Sequence, residues 1–235
     1  MINIQIFLYT YHTSKKMKKI IKIVFMVMIS LVTISQEVSK EIPKEVKSTS
    51  QKWSLTSENE LSYDGKPYTG KVILDNKGGK GYLNLKDGHL EGYSYMESQV
   101  FETSFNVVNR KFDGEYMFME KINGVRQGSI ISFNKGNIEK LKGNGKTIVY
   151  DLIFDSQGKA NGKMVKGKEE LIVKDGVTKN KGLTLLVNLN DEKNGVNLKI
   201  FNSSNNLMQE ANMIDKTDSD ELEGILFKSF FKTAK

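Results

Sequence analysis

The strongest constraint in this sequence is a turn that keeps returning. An Asp-Gly or Asn-Gly pair is followed about four residues later by a second glycine, which opens an apolar or aromatic run. Asp87-Gly88-His89-Leu90-Glu91-Gly92-Tyr93-Ser94-Tyr95-Met96 is the clearest copy. Asn123-Gly124 leading to Gly128, and Gln157-Gly158 leading to Gly162, repeat it. Looser copies are Asp64-Gly65 leading to Gly70, Asn109-Arg110 leading to Asp113-Gly114-Glu115-Tyr116, and Asp175-Gly176 leading to Gly182. Asp-Gly and Asn-Gly supply the positive φ values that tight hairpin turns demand. The second glycine permits a bulge or a close backbone approach where the chain re-enters a sheet. Alternation such as Tyr93 and Tyr95 against Ser94 and Met96 then gives one packed face and one solvated face.

Gly70, Gly92 and Gly114 stand 22 residues apart, the length of one hairpin with its two turns. Stacked hairpins of that kind grow along one axis. The register breaks after Gly114, so three regular copies precede a degenerate remainder. Gly81–Leu85, Val100–Val108, Thr147–Phe154, Glu170–Lys174 and Gly195–Phe201 supply further strand candidates. Only two prolines interrupt these ladders. The last segment changes period: after a cap at Asp218 or Ser219, Leu222, Ile225, Leu226 and Phe230 fall on one helical face. The fold expected is all-β: an elongated antiparallel meander of stacked β-hairpin repeats over 53–217, with a C-terminal α-helix over 218–235 packing on the sheet.

The front of the chain reads as an address. Met17-Lys18-Lys19 and Lys22 precede an apolar stretch of 12 residues, Ile23–Ile34. A membrane-spanning helix needs roughly 20 apolar residues, so the run suits a secretory signal with cleavage before Gln36. Residues 1–16 read as an upstream start extension and 1–35 as the signal peptide. Residues 36–52 lack an apolar face of either period and read as a flexible linker. Export to the periplasm, outer envelope or extracellular space is the expected destination. The formal net charge of +7 belongs mainly to this signal. Without its five lysines the chain holds 30 Lys+Arg against 28 Asp+Glu, interleaved along the strands. No basic stripe remains to track phosphates, so nucleic acid is not an expected partner.

The turn units resemble the short bacterial variant of MORN (membrane occupation and recognition nexus) repeats, roughly Asn/Asp-Gly-Lys-x-x-Gly-x-aromatic. The likeness is carried by Asp87, Gly88, Gly92, Tyr93 and Tyr95, by Asn123, Gly124 and Gly128, by Gly158, Lys159 and Gly162, and by Asp113, Gly114 and Tyr116, spanning about residues 62–190. The resemblance implies a single-layer antiparallel meander used for binding, with no catalytic residues to transfer. Some relatives are labelled antitoxin components, a cytosolic role at odds with an export signal.

Chemistry is otherwise sparse. With no cysteine, disulfides, thiolate metal sites and a cysteine nucleophile are excluded. His12 and His89 are the only imidazoles, and His89, beside Gly88, reads as a solvated turn residue rather than a general base. Gly143-Asn144-Gly145-Lys146-Thr147 lacks the first glycine of a phosphate loop and leads into a strand instead of a helix. Asp215, Asp218, Asp220, Glu221 and Glu223 lack the spacing of a calcium loop and fit helix capping. No Gly-x-Ser-x-Gly elbow is present, and nothing singles out two of the 28 acids as a hydrolytic pair. No cofactor or metal is expected, and no enzymatic activity. Tyr82, Tyr93, Tyr95, Tyr116, Phe118 and Phe133 are the one recognition feature, with Tyr93, Tyr95 and Tyr116 selected as the binding residues. The functional expectation is an exported, non-enzymatic envelope protein that binds another protein or a surface polymer through its sheet. The alternatives are a periplasmic carrier or chaperone sheltering a lipid or acyl chain, then an antitoxin-like protein or an envelope hydrolase.

Overall fold

The structure, a computed structural model, describes residues 42–56, 60–76, 78–144 and 148–212. Among them every regular element is a β-strand, and all sheet pairings but one are antiparallel. The described residues up to Gln99, together with Asn106–Arg110, form one compact unit; Val100–Phe105 and the described residues from Lys111 onward form another.

The first unit contains β1 (Glu45–Lys47), β2 (Trp53–Leu55), β3 (Leu61–Tyr63), β4 (Lys66–Pro67), β5 (Gly70–Asn76), β6 (Gly79–Lys86), β7 (His89–Leu90) and β8 (Gly92–Glu97). The order β1-β5-β6-β8 makes one run, with β7 paired to β6, while β2-β3-β4 make a small separate sheet. Period-two alternation turns Val72, Leu74, Leu83, Leu85, Ser94 and Met96 to the buried side. The β2–β4 sheet adds Trp53, whose ring meets Tyr63 and Tyr68 edge-on at 4.9 Å each. The Asp87-Gly88 turn ties the two sheets together. Gly88 N–H donates to the Tyr68 carbonyl and the Gly88 carbonyl accepts from Leu61 N–H, both at 2.8 Å. A side chain at Gly88, where φ is +78°, would press on Glu60 Cβ at 2.8 Å.

One expectation is corrected here. β1, which precedes the meander expected over 53–217, lies parallel to β5 with Val46 opposite Val72. The stretch 36–52 is thus not a free linker over its described part. Val46 is buried, Trp53 Nε1 donates to the Lys47 carbonyl at 2.9 Å, and the buried Tyr68 donates its hydroxyl to the Pro43 carbonyl at 3.0 Å. The segment has little apolar content of its own. It is ordered by a sheet edge and two aromatic donors that local sequence does not reveal.

The second unit begins in β9 (Phe101–Val108) and continues through β10 (Lys111–Phe112), β11 (Gly114–Ile122), β12 (Val125–Asn134), β13 (Asn137–Asn144), β14 (Val149–Phe154), β15 (Ala160–Lys166) and β16 (Glu169–Val173). Here β9-β11-β12-β13-β14-β15-β16 follow one another antiparallel, and β10 pairs with β9. A second sheet, β17 (Val177–Asn180), β18 (Leu183–Leu189), β19 (Val196–Phe201) and β20 (Leu207–Asn212), is also a simple meander. Leu189 N–H donates to the Gly158 carbonyl at 2.7 Å and Val187 N–H to the Gly176 carbonyl at 2.8 Å, so turns of the long run support the second sheet. Ile131, Leu141, Tyr150, Leu152, Met164, Leu171, Leu185, Val187 and Leu198 fill the interior; each such side chain contributes about 1.5–3 kcal/mol of burial.

The glycine that follows Asn123-Gly124 does not open a strand as expected. β12 starts at Val125, and Gly128 sits inside it opposite Met119. A Cβ there would overlap the Phe118 carbonyl oxygen, so the position serves close strand approach. Gly143, mid-strand in β13, leaves room for the Tyr150 ring across the ladder. The helix expected over 218–235 lies outside the described residues, as does the signal segment.

Candidate binding face

The outward side of β5, β6 and β8 carries the aromatic feature. Cross-strand pairing sets Ile73 opposite Tyr82 and Tyr82 opposite Tyr95. Tyr93 lies two residues before Tyr95 on the same side, with its ring centroid 6.4 Å from that of Tyr82. Ser94 and Met96 take the buried side, so alternation forces the tyrosines outward. Tyr93 is 47% exposed, while Tyr82 and Tyr95 are half-buried.

Charged groups frame these rings. Lys71 Nζ stands 5.1 Å from the Tyr82 ring centroid, a cation–π distance, and pairs with Glu45 at 3.2 Å. The Tyr95 hydroxyl donates to the Glu97 carboxylate, which pairs with Lys80 at 3.0 Å. Asn84 donates from its side-chain amide to the Tyr93 carbonyl, and its backbone N–H donates to Ser94 Oγ at 3.1 Å. The face therefore offers flat aromatic surface, one phenol held by a carboxylate, and lysine–carboxylate pairs at its margins. Lys71, Asn84 and Glu97 were not singled out by the sequence. Only the strand register brings them beside the tyrosines.

Tyr116 belongs to different surroundings, in the second unit. Opposite the buried Ile131, it packs against Phe105 at 6.3 Å and edge-on against Phe112 at 5.5 Å. Burial raises its phenol pKa above 10.0, partly offset by a hydrogen bond with Thr103. These contacts are those of a packing residue. Tyr68 behaves similarly in the first unit, its pKa raised by burial first and then by Glu45 and Tyr63.

His89 is not a solvated turn residue. It lies in β7, half-buried, with Nε2 3.1 Å from Glu60 Oε1. The pair fastens β7 to the residue just before β3. Among the described residues no group of three or more His, Asp or Glu side chains is placed to hold a metal ion. No described helix is long and apolar enough to cross a membrane.

Fold and face together define an all-β protein presenting tyrosines from an antiparallel sheet. No protein-family model matches the chain, no curated protein matches it, and no solved structure matches it.

Proposed function

We propose that this chain is an exported, non-enzymatic MORN-like repeat protein of the bacterial cell envelope, binding a protein or surface polymer through the Tyr82–Tyr93–Tyr95 face. The observation carrying the binding reading is that these rings stand on the outward side of β5–β8 while Ser94 and Met96 carry the packing. Tyrosine is well suited to such a surface: it offers a large apolar body and a polar tip, and few rotatable bonds are frozen on contact. Export rests on the lysine-led, short apolar segment ahead of Gln36. The repeat reading rests on the recurring turn units and on the bonds that hold them.

The test is retention from a solubilised envelope fraction on immobilised 36–235, compared with a variant carrying Tyr82→Ala, Tyr93→Ala and Tyr95→Ala. Specific retention by the first and its loss in the second is the expected outcome. Equal retention by both removes the tyrosine face from the reading. Recovery of the unprocessed chain from the cytosol removes export.

A further inference from the structure

A second exposed apolar surface lies on the second unit, on the outward side of β14–β16. Val149, Ile153 and Ile172 are 46%, 56% and 58% exposed, although their neighbours Tyr150, Leu152, Leu171 and Val173 are buried. Register gathers them: Val149 faces Val165, Ile153 faces Asn161, and Lys163 lies between Asp151 and Ile172. Lysines border the patch. Lys140 is opposite Ile153 and Lys142 opposite Asp151. Lys140 pairs with Asp151 at 3.2 Å and Lys163 with Glu170 at 3.6 Å, whereas Lys142 is exposed with no ion-pair partner among the described residues. Three exposed aliphatic side chains on one sheet face offer apolar area that a partner can cover.

We propose that this face is the docking surface for the chain's own C-terminal stretch, residues 213–235. Charge is the first argument. Residues 213–223 hold Asp215, Asp218, Asp220, Glu221 and Glu223 against the single Lys216, a complement to Lys142, since Lys140 and Lys163 are already paired. Pattern is the second: Leu222, Ile225, Leu226 and Phe230 recur at spacings that present one apolar stripe. Reach is the third. The described chain stops at Asn212, which lies opposite Asn197; Asn197 pairs with Asn188, and Asn188 bridges to Lys159. Three strand spacings therefore separate the exit from β15, about 14 Å, and Asn161, the partner of Ile153, is two residues further along. The ten residues from Asn212 to Leu222 span up to about 33 Å when extended, which is ample.

The natural absence of cysteine makes the test clean. The full chain carrying Ile153→Cys and Leu226→Cys is treated with a short bis-maleimide at micromolar protein concentration. The control carries Val125→Cys and Leu226→Cys, Val125 being exposed at the start of β12. Intramolecular linkage at least fivefold above the control is expected, with a drop of twofold or more when Lys142→Glu is added. Equal yields in the two pairs overturn the proposal. So does linkage found only between two chains, which assigns the face to a second copy, or a yield indifferent to Lys142→Glu. Ile153, Val125 and Lys142 are exposed, and an unchanged circular dichroism spectrum verifies the folding of each variant.

Discussion

Asp113 holds the turn that follows it in the next hairpin: its Oδ1 accepts the backbone N–H of Lys135 at 2.9 Å. One residue on, Gly136 N–H donates to the Phe112 carbonyl at 2.8 Å. The same two bonds recur where Thr69 and Tyr68 receive Asp87 and Gly88, and where Asn161 and Ala160 receive Asp175 and Gly176. Glu91 makes the side-chain half of the arrangement with Asn109 at 3.2 Å. Each acceptor side chain immediately precedes the second glycine of a turn unit, and Tyr68, Phe112 and Ala160 before it are buried anchors. Turn residues at positive φ point N–H groups away from their own ladder, and this device satisfies them.

Replacing Asp113 by Ala removes one charge-assisted acceptor from a largely solvated site. A loss of about 1 kcal/mol in unfolding free energy is expected, with Asp113→Asn retaining most of it. Urea midpoints of the three proteins measure this; an Ala variant as stable as the parent refutes the role assigned to the bond.

Gly143 has no room for a side chain, since a Cβ would overlap the buried Tyr150 ring. Gly143→Ala is expected to cost about 1–3 kcal/mol through overpacking. Adding Tyr150→Leu should relieve part of that cost, giving a non-additive double-mutant cycle. Strict additivity argues against the clash.

Trp53, the one tryptophan of the chain, reports on the ordering of the segment before it. Deleting the residues before Ser50 removes β1, the Lys47 carbonyl that accepts from Trp53 and the Pro43 carbonyl that accepts from Tyr68. A red-shifted Trp53 emission and a lowered unfolding midpoint are expected. A passive tether leaves both unchanged.

Tyr93 and Tyr116 should separate sharply in stability. Tyr93→Ala, at an exposed site, is expected to stay within about 0.5 kcal/mol of the parent. Tyr116→Ala, which dismantles contacts with Phe105 and Phe112, should cost about 3 kcal/mol. The raised pKa values of Tyr68 and Tyr116 add a pH signature. Above pH 10 the unfolded chain releases phenolic protons that the folded chain still holds, so stability falls as pH rises from 10 upward. The contribution is complete below pH 10. Urea midpoints at pH 9, 10 and 11 test the sign, and a Tyr116→Phe variant should show a shallower decline.

The turns were legible because their chemistry is local. Asp64, Asp87, Asn123 and Asp175 adopt φ between 49° and 55°, as Asx-Gly pairs do in tight turns. The equivalent turn at Lys135-Gly136 was not singled out, because lysine carries no such signal, yet Lys135 has φ 49°. The tyrosine selection was legible only in part. Alternation told that Tyr93 and Tyr95 share a side, but Ser94 and Met96 made neither side plainly the buried one.

Strand content, turn placement and the lack of thiol chemistry all follow from residue type and from neighbours within a few positions, where backbone sterics decide. Which tyrosines face solvent, which lysine stands over a ring, and why Val46 is buried depend on partners 11 to 26 residues away: Lys71 stands over Tyr82, Tyr82 faces Tyr95, and Val46 faces Val72. Those pairings are set by register, and a slip of one residue would turn each side chain to the opposite face. Only the assembled sheets, with all their faces competing for burial at once, select that register.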